Sequence, residues 1–111
     1  MSSVVIKSVD EKLVRRSMDE YAERLLRTNP DVKEIAVFGS FTKGTYVPGS
    51  DLDVFIVLRR SDKPFRERIP ELLPGAFPVG VDLFPCTPEE LASSPLHVEF
   101  QKSRWRYRRL P

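Results

Sequence analysis

Gly39-Ser40-Phe41-Thr42-Lys43-Gly44-Thr45-Tyr46-Val47-Pro48-Gly49-Ser50-Asp51-Leu52-Asp53 separates two apolar runs. It reads as the end of one strand, a polar connection and the start of another. Before it, Glu34-Ile35-Ala36-Val37-Phe38 forms a short buried strand; after it, Asp51 to Leu58, rich in Val, Ile and Leu, is the clearest strand of the chain. Side chains alternate along a strand, so Asp51 and Asp53 share a face, with Cα atoms about 6.5 Å apart. Leu52, Val54, Ile56 and Leu58 point the other way, into an apolar layer. Gly39-Ser40 can lie beside Asp51 only if the two strands run antiparallel, because parallel neighbours would place these residues at opposite edges of the sheet.

Upstream, Ser8-Val9-Asp10-Glu11 has the form of a capping box with Ser8 at the N-cap. Val14, Met18, Tyr21, Ala22 and Leu25 then recur at helical spacing until Asn29-Pro30 stops the helix after about five turns. Downstream, residues 65–73 give a short helix between Pro64 and Pro74, and Val79 to Phe84 a third strand. Thr87-Pro88-Glu89-Glu90 is a second capping box with proline at the first helical position. A last helical or irregular segment starts near Pro95. The order predicts an α+β, two-layer fold: a small mixed β-sheet packed with helices.

The chain has 111 residues, 41% hydrophobic and 31% charged. That supports one core and a single domain over 1–111, with no separate domain for recognising an acceptor. The net charge of +2 hides an asymmetry. Residues 102–111 hold Lys102, Arg104, Arg106, Arg108 and Arg109 and no acid, leaving a net of −3 over residues 1–101. A globally basic nucleic-acid binder is excluded, whereas a local basic, aromatic C-terminal tail is not. No apolar run approaches the roughly 18–20 residues that span a bilayer. With one cysteine, Cys86, neither an internal disulfide nor a thiolate metal site can form, and a cytoplasmic protein is expected.

Two carboxylates on one face at the mouth of a buried strand repel each other unless a cation binds between them. Hard oxygen donors without His or Cys nearby favour Mg²⁺, or Mn²⁺, over Zn²⁺. On the third strand Asp82 interrupts the apolar run Val81-Asp82-Leu83-Phe84, on the face opposite Val81 and Leu83. If that strand neighbours the second, Asp82 completes a triplet with Asp51 and Asp53, a ligand set suited to two divalent ions and in-line attack on phosphorus. Gly39 admits close approach of a phosphate to the backbone, and the Ser40 hydroxyl can donate to a phosphate oxygen. Lys43, about one helical turn on, could neutralise the same triphosphate. The spacing is not that of a Walker A loop.

These residues resemble the nucleotidyltransferase superfamily of DNA polymerase β type. They are most similar to its minimal members, the MNT domains that pair with HEPN-domain partners in prokaryotes. The resemblance rests on G-S-x₁₀-D-x-D at Gly39, Ser40, Asp51 and Asp53, on Lys43-Gly44, on Ser50 before the first acid, and on Val-Asp-Leu around Asp82. It implies that Asp51 and Asp53 bind both metals, and that Asp82 ligates one and helps activate the attacking hydroxyl. Gly39, Ser40, Lys43 and Ser50 belong to the nucleotide side. It further implies transfer of an NMP unit, AMP from ATP first, to a tyrosine on a HEPN-type toxin that the chain would neutralise as an antitoxin. Lacking an acceptor-binding domain, the chain would take its acceptor from that partner.

A rival reading is a non-catalytic subunit that keeps the fold and neutralises a partner by surface contact. A third, a nucleic-acid-binding module, rests on the tail alone. Trp105 and Tyr107 alternate there with arginines, which suits a docked edge strand with aromatics inward or a partner-binding strip, both preferred to a nucleic-acid contact. Ser50 by itself reads as a turn cap, His97 as a structural or solvated histidine, and Cys86 as a packing residue.

Overall fold

The computed structural model describes residues 10–109. The elements run α1 (Glu11–Thr28), β1 (Val32–Phe38), α2 (Ser40–Lys43), β2 (Leu52–Leu58), α3 (Phe65–Leu72), β3 (Val81–Cys86), α4 (Pro88–Ala92), α5 (His97–Lys102) and β4 (Trp105–Arg108). The strands form one sheet in the order β3-β2-β1-β4. β1 pairs antiparallel with both β2 and β4, and β2 pairs parallel with β3 through the α3 crossover. The sheet is mixed, as expected, and its centre is the antiparallel pair that brings the end of β1 to the start of β2.

Helix α1 buries Val14, Met18, Tyr21, Ala22 and Leu25, the positions its periodicity marks. Its cap differs from the sequence expectation. Ser8 lies outside the described residues, and Asp10 is the N-cap, its Oδ1 accepting from Leu13 N at 3.0 Å. Glu11 is therefore the first helical residue and closes no box. Thr87 and Glu90 do make the expected reciprocal box, with Thr87 N donating to Glu90 Oε1 at 2.8 Å and Glu90 N to Thr87 Oγ1 at 3.3 Å.

Alternation divides the sheet into two faces. Ile35, Val37, Leu52, Val54, Ile56, Leu58 and Leu83 pack under α1 with Leu72 of α3. Ala36, Phe38, Phe55, Val57 and Cys86 form a second layer with Leu91, Leu96 and Phe100 from α4, α5 and the turn between them. Within it Phe38 and Phe55 stack at 4.0 Å, and Phe84 and Phe100 meet them edge-on at 5.2 and 5.5 Å.

β3 begins and ends two residues later than the sequence reading. Gly80 still contacts β2 through its carbonyl, which accepts from Leu52 N at 2.8 Å, so the ladder opens at Val81. Pro85 continues the strand because β3 is a sheet edge, where a residue without an N–H is tolerated. Its carbonyl points outward and accepts from Arg68 Nη1 at 3.1 Å. The basic tail is a docked strand, β4, with its aromatics facing α1. Trp105 Nε1 donates to the Tyr107 hydroxyl at 2.6 Å, that hydroxyl donates to Asp19, and Arg15 lies 4.2 Å over the indole. Arg106 and Arg108 both reach Glu34 on β1, at 2.8 and 3.1 Å.

Candidate active site

The second sheet face carries the carboxylates. Asp53 shares its side with Phe55 and Val57, and Asp82 shares its side with Phe84. Their backbones are partners across the parallel β2–β3 pair, and on its other side Asp53 faces Phe38, the last residue of β1. Strand spacing is about 4.8 Å, so Asp53 and Asp82 are immediate neighbours while Asp51 sits one alternation away. The antiparallel β1–β2 pair expected from sequence, and the β2–β3 adjacency on which the place of Asp82 depended, together produce this grouping.

Two glycines make room for the acids. A Cβ on Gly39 would stand 2.3 Å from Asp53 Oδ2, and one on Gly80 would stand 2.2 Å from Asp51 Oδ1. Gly39 also has φ +82°, a backbone that L side chains rarely adopt. The carboxylates therefore lie against bare backbone, that of Asp53 over the β1 end and that of Asp51 over the residue before β3. Gly80 was not singled out in the sequence. Its available signal is a glycine between two valines, just ahead of the acid-bearing strand.

The aromatic floor around Phe38 and Phe55 leaves Asp53 half-buried, whereas Asp51 and Asp82 are exposed. Burial pushes the Asp53 carboxyl above the usual carboxylate range, and the charges of Asp82 and then Asp51 push it further. Asp53 is thus electrostatically coupled to both other acids. Among the described residues, however, no three His, Cys, Asp or Glu side chains stand close enough together to hold a metal ion. The donors fit a hard divalent cation in chemistry, and their backbones fit in position. The side chains of Asp51 and Asp53 would have to turn from their glycines to share one.

On the nucleotide side, Gly39 precedes the single turn of α2, with Thr42 N and Lys43 N donating to its carbonyl at 3.1 and 3.2 Å. Ser40 is the first residue of that turn. Lys43 reaches away from the acids, its Nζ 3.6 Å from Glu99 on α5. Ser50 closes the turn before Asp51: its Oγ accepts from Val47 N and its own N donates to Val47 O, both at 2.9 Å. The arrangement gathers Gly39, Ser40, Asp51, Asp53 and Asp82 at one end of the sheet, with Lys43 directed to the β4 side and Ser50 engaged in the turn.

The family model of the nucleotidyltransferase domain matches residues 18–108. The chain belongs to the nucleotidyltransferase domain family. The matched span includes every residue of the site just described. A nucleotidyltransferase relative, the CCA-adding enzyme of Thermoplasma volcanium, is 32% identical over 90 residues. That similarity spans 81% of this chain but 18% of the relative's length. A crystal structure of a candidate nucleotidyltransferase from Sulfolobus solfataricus superposes with a TM-score of 0.60 at 18% identity, covering 88% of this chain and 80% of that one. It supports the nucleotidyltransferase-like fold: a mixed sheet with helices on it.

Two other sequence-marked residues have structural settings. Cys86 is buried at the end of β3, and burial pushes its thiol up to about 11, with Glu90 adding to it, so it stays protonated and inert at neutral pH. His97 opens α5, partly buried. No helix among the described residues is long and apolar enough to cross a membrane.

Proposed function

We propose that this nucleotidyltransferase domain is catalytic. In this reading it moves an NMP unit, AMP from ATP first, to a hydroxyl acceptor, a tyrosine on a HEPN-type partner, and acts as that partner's antitoxin. One observation carries the catalytic part: where Gly39-Ser40 follows β1, the Asp53 carboxyl sits half-buried beside Asp82 and Asp51, and burial first, then those two charges, push it above the usual carboxylate range. A half-buried carboxylate held among like charges destabilises the fold and is kept where a cation uses it.

Asp51 and Asp53 would hold two Mg²⁺ ions, or Mn²⁺, with Asp82 as the third ligand. Such ions supply charge neutralisation on the triphosphate and polarise the attacking hydroxyl. Gly39 lets the triphosphate approach the backbone, and Ser40 donates to a phosphate oxygen. Asp82, the exposed acid at the sheet margin, accepts the acceptor's proton as its oxygen attacks the α-phosphorus and pyrophosphate leaves.

The chain is incubated with ATP labelled at the α-phosphate, Mg²⁺ and a HEPN-domain protein encoded beside it. Label is expected on the partner, and is expected to vanish with Asp51→Ala plus Asp53→Ala. The second reading, a non-catalytic subunit that neutralises its partner by contact, is favoured by one observation: the acids do not converge on a common point. No label transfer, with neutralisation surviving both substitutions, establishes that reading instead. An RNA acceptor for CCA addition, the activity named for the Thermoplasma relative, serves as the control substrate.

A further inference from the structure

A cavity of about 300 Å³ opens beside the proposed site, between α2, α5 and the start of β4. Phe38, Lys43, Glu99, Lys102 and Arg104 line it, so the last residue of α5 and the residue before β4 join a lysine of the Gly-Ser turn. Three cations against one acid leave the cavity with a net charge of about +2 by simple addition. Glu99 holds Lys43 across it at 3.6 Å.

This wall is built into the sheet. Ser103, between the two basic residues, is buried, and its hydroxyl donates to Val37 O at 2.5 Å. That bond ties the Lys102-Ser103-Arg104 segment to Val37, two residues before Gly39 in the chain. The other β4 arginines point to different work: Arg106 and Arg108 bind Glu34, and Arg109 donates to the Asn29 and Val32 carbonyls. Sheet order then gives a direction. The acids lie on β2 and β3, Gly39 ends β1, and the basic cavity lies on the β4 side. From β2 to β4 is two strand spacings, about 10 Å, comparable to an extended triphosphate.

We propose that Lys43, Lys102 and Arg104 form the seat of the terminal phosphates of the nucleotide. The triphosphate then runs across the sheet, from the acids over Gly39 to β4. The inference rests on the nucleotide-dependent reading above and adds to it residues outside the Gly-Ser and Asp-x-Asp motif. The C-terminal tail thereby belongs to the substrate site instead of standing apart from it. Such a seat makes the chain select triphosphates over monophosphates, because an AMP held at the acids would not reach it.

The test uses the full chain and equilibrium binding of magnesium ATP and of AMP, read by calorimetry and by fluorescence of the single tryptophan, Trp105, which lines the cavity. The variant carries Lys102→Gln and Arg104→Gln, two exposed positions, with melting temperature as the folding control. Loss of charge-assisted contacts should weaken ATP binding by about 10- to 100-fold and leave AMP binding unchanged. Glu99→Gln, which releases Lys43, should strengthen ATP binding, and the swap Lys102→Arg with Arg104→Lys should retain most of it. Unchanged ATP affinity in the Gln variant overturns this inference while leaving the proposed function standing. Lost affinity for single-stranded RNA with ATP affinity intact makes the patch a nucleic-acid contact, and also overturns it. A wild-type chain that binds neither nucleotide removes the proposed function, and this seat with it.

Discussion

Asp53 is where fold and proposed chemistry pull in opposite directions. Burial and its two acidic neighbours raise its pKa, so the folded chain holds that proton more readily than the unfolded chain does. Stability of the metal-free protein should therefore fall as pH rises from the ordinary carboxylate range through the raised value of Asp53. Asp53→Asn should flatten that slope and raise the melting temperature at neutral pH by about 2–4 °C, while removing nucleotide transfer. A pH series of thermal melts on both proteins, without and with Mg²⁺, checks it, and Mg²⁺ should stabilise only the wild type. Gly39→Ala should do the reverse for stability. The new methyl would meet the Asp53 carboxylate at 2.3 Å on a backbone at φ +82°, so both melting temperature and activity should drop. Gly80→Ala, by contrast, meets only the end of the Asp51 side chain, at a backbone with no positive φ, and should cost activity more than stability.

Among the elements, α4 is tied to α3 and β3 through one carboxylate. Glu90 closes the box with Thr87 and also takes a bidentate pair from buried Arg68, at 2.6 and 3.0 Å. The Arg68 hydrogen bonds and then the Thr87 N–H lower the Glu90 carboxyl to about 2. This support is complete above the ordinary glutamate range and is lost as pH falls from there toward about 2. Because half of the Glu90 side chain faces water, Arg68→Met should cost about 1–3 kcal/mol, less than breaking a fully buried pair. Urea titrations at pH 7 and pH 3 test both points, the cost being smaller at pH 3. The Thr87 box and the α1 face were legible in the sequence because each depends on spacing within a few residues. The ends of β3 were not, since Gly80 and Pro85 are judged by their place at a sheet edge, and that place is set by β2 and Arg68. Alternation in Trp105-Arg106-Tyr107-Arg108 left three roles open; pairing with β1 and Glu34 selects the strand. The Asp-x-Asp pair was readable from one strand, whereas Gly80, Glu99, Lys102 and Arg104 reach the site only through tertiary contact.

For the whole molecule, the order β3-β2-β1-β4 makes the C-terminal strand part of the core face that α1 covers. Deleting residues 102–109 therefore removes one of the two partners of β1, the Glu34 ion pairs and the indole under Arg15. The truncated chain should lose cooperative melting, seen as a broad or absent transition by circular dichroism. A loss of binding after truncation would then report unfolding, and the role of the tail has to be read from single substitutions. The same order leaves β3 and β4 as the margins of the described sheet. On β3 the proline offers no N–H to an incoming strand, and its carbonyl is already occupied by Arg68. On β4 a further copy would have to bring a second row of arginines alongside the first. The two rims of the described sheet thus oppose strand addition by different chemistry, a missing donor on one side and like charge on the other.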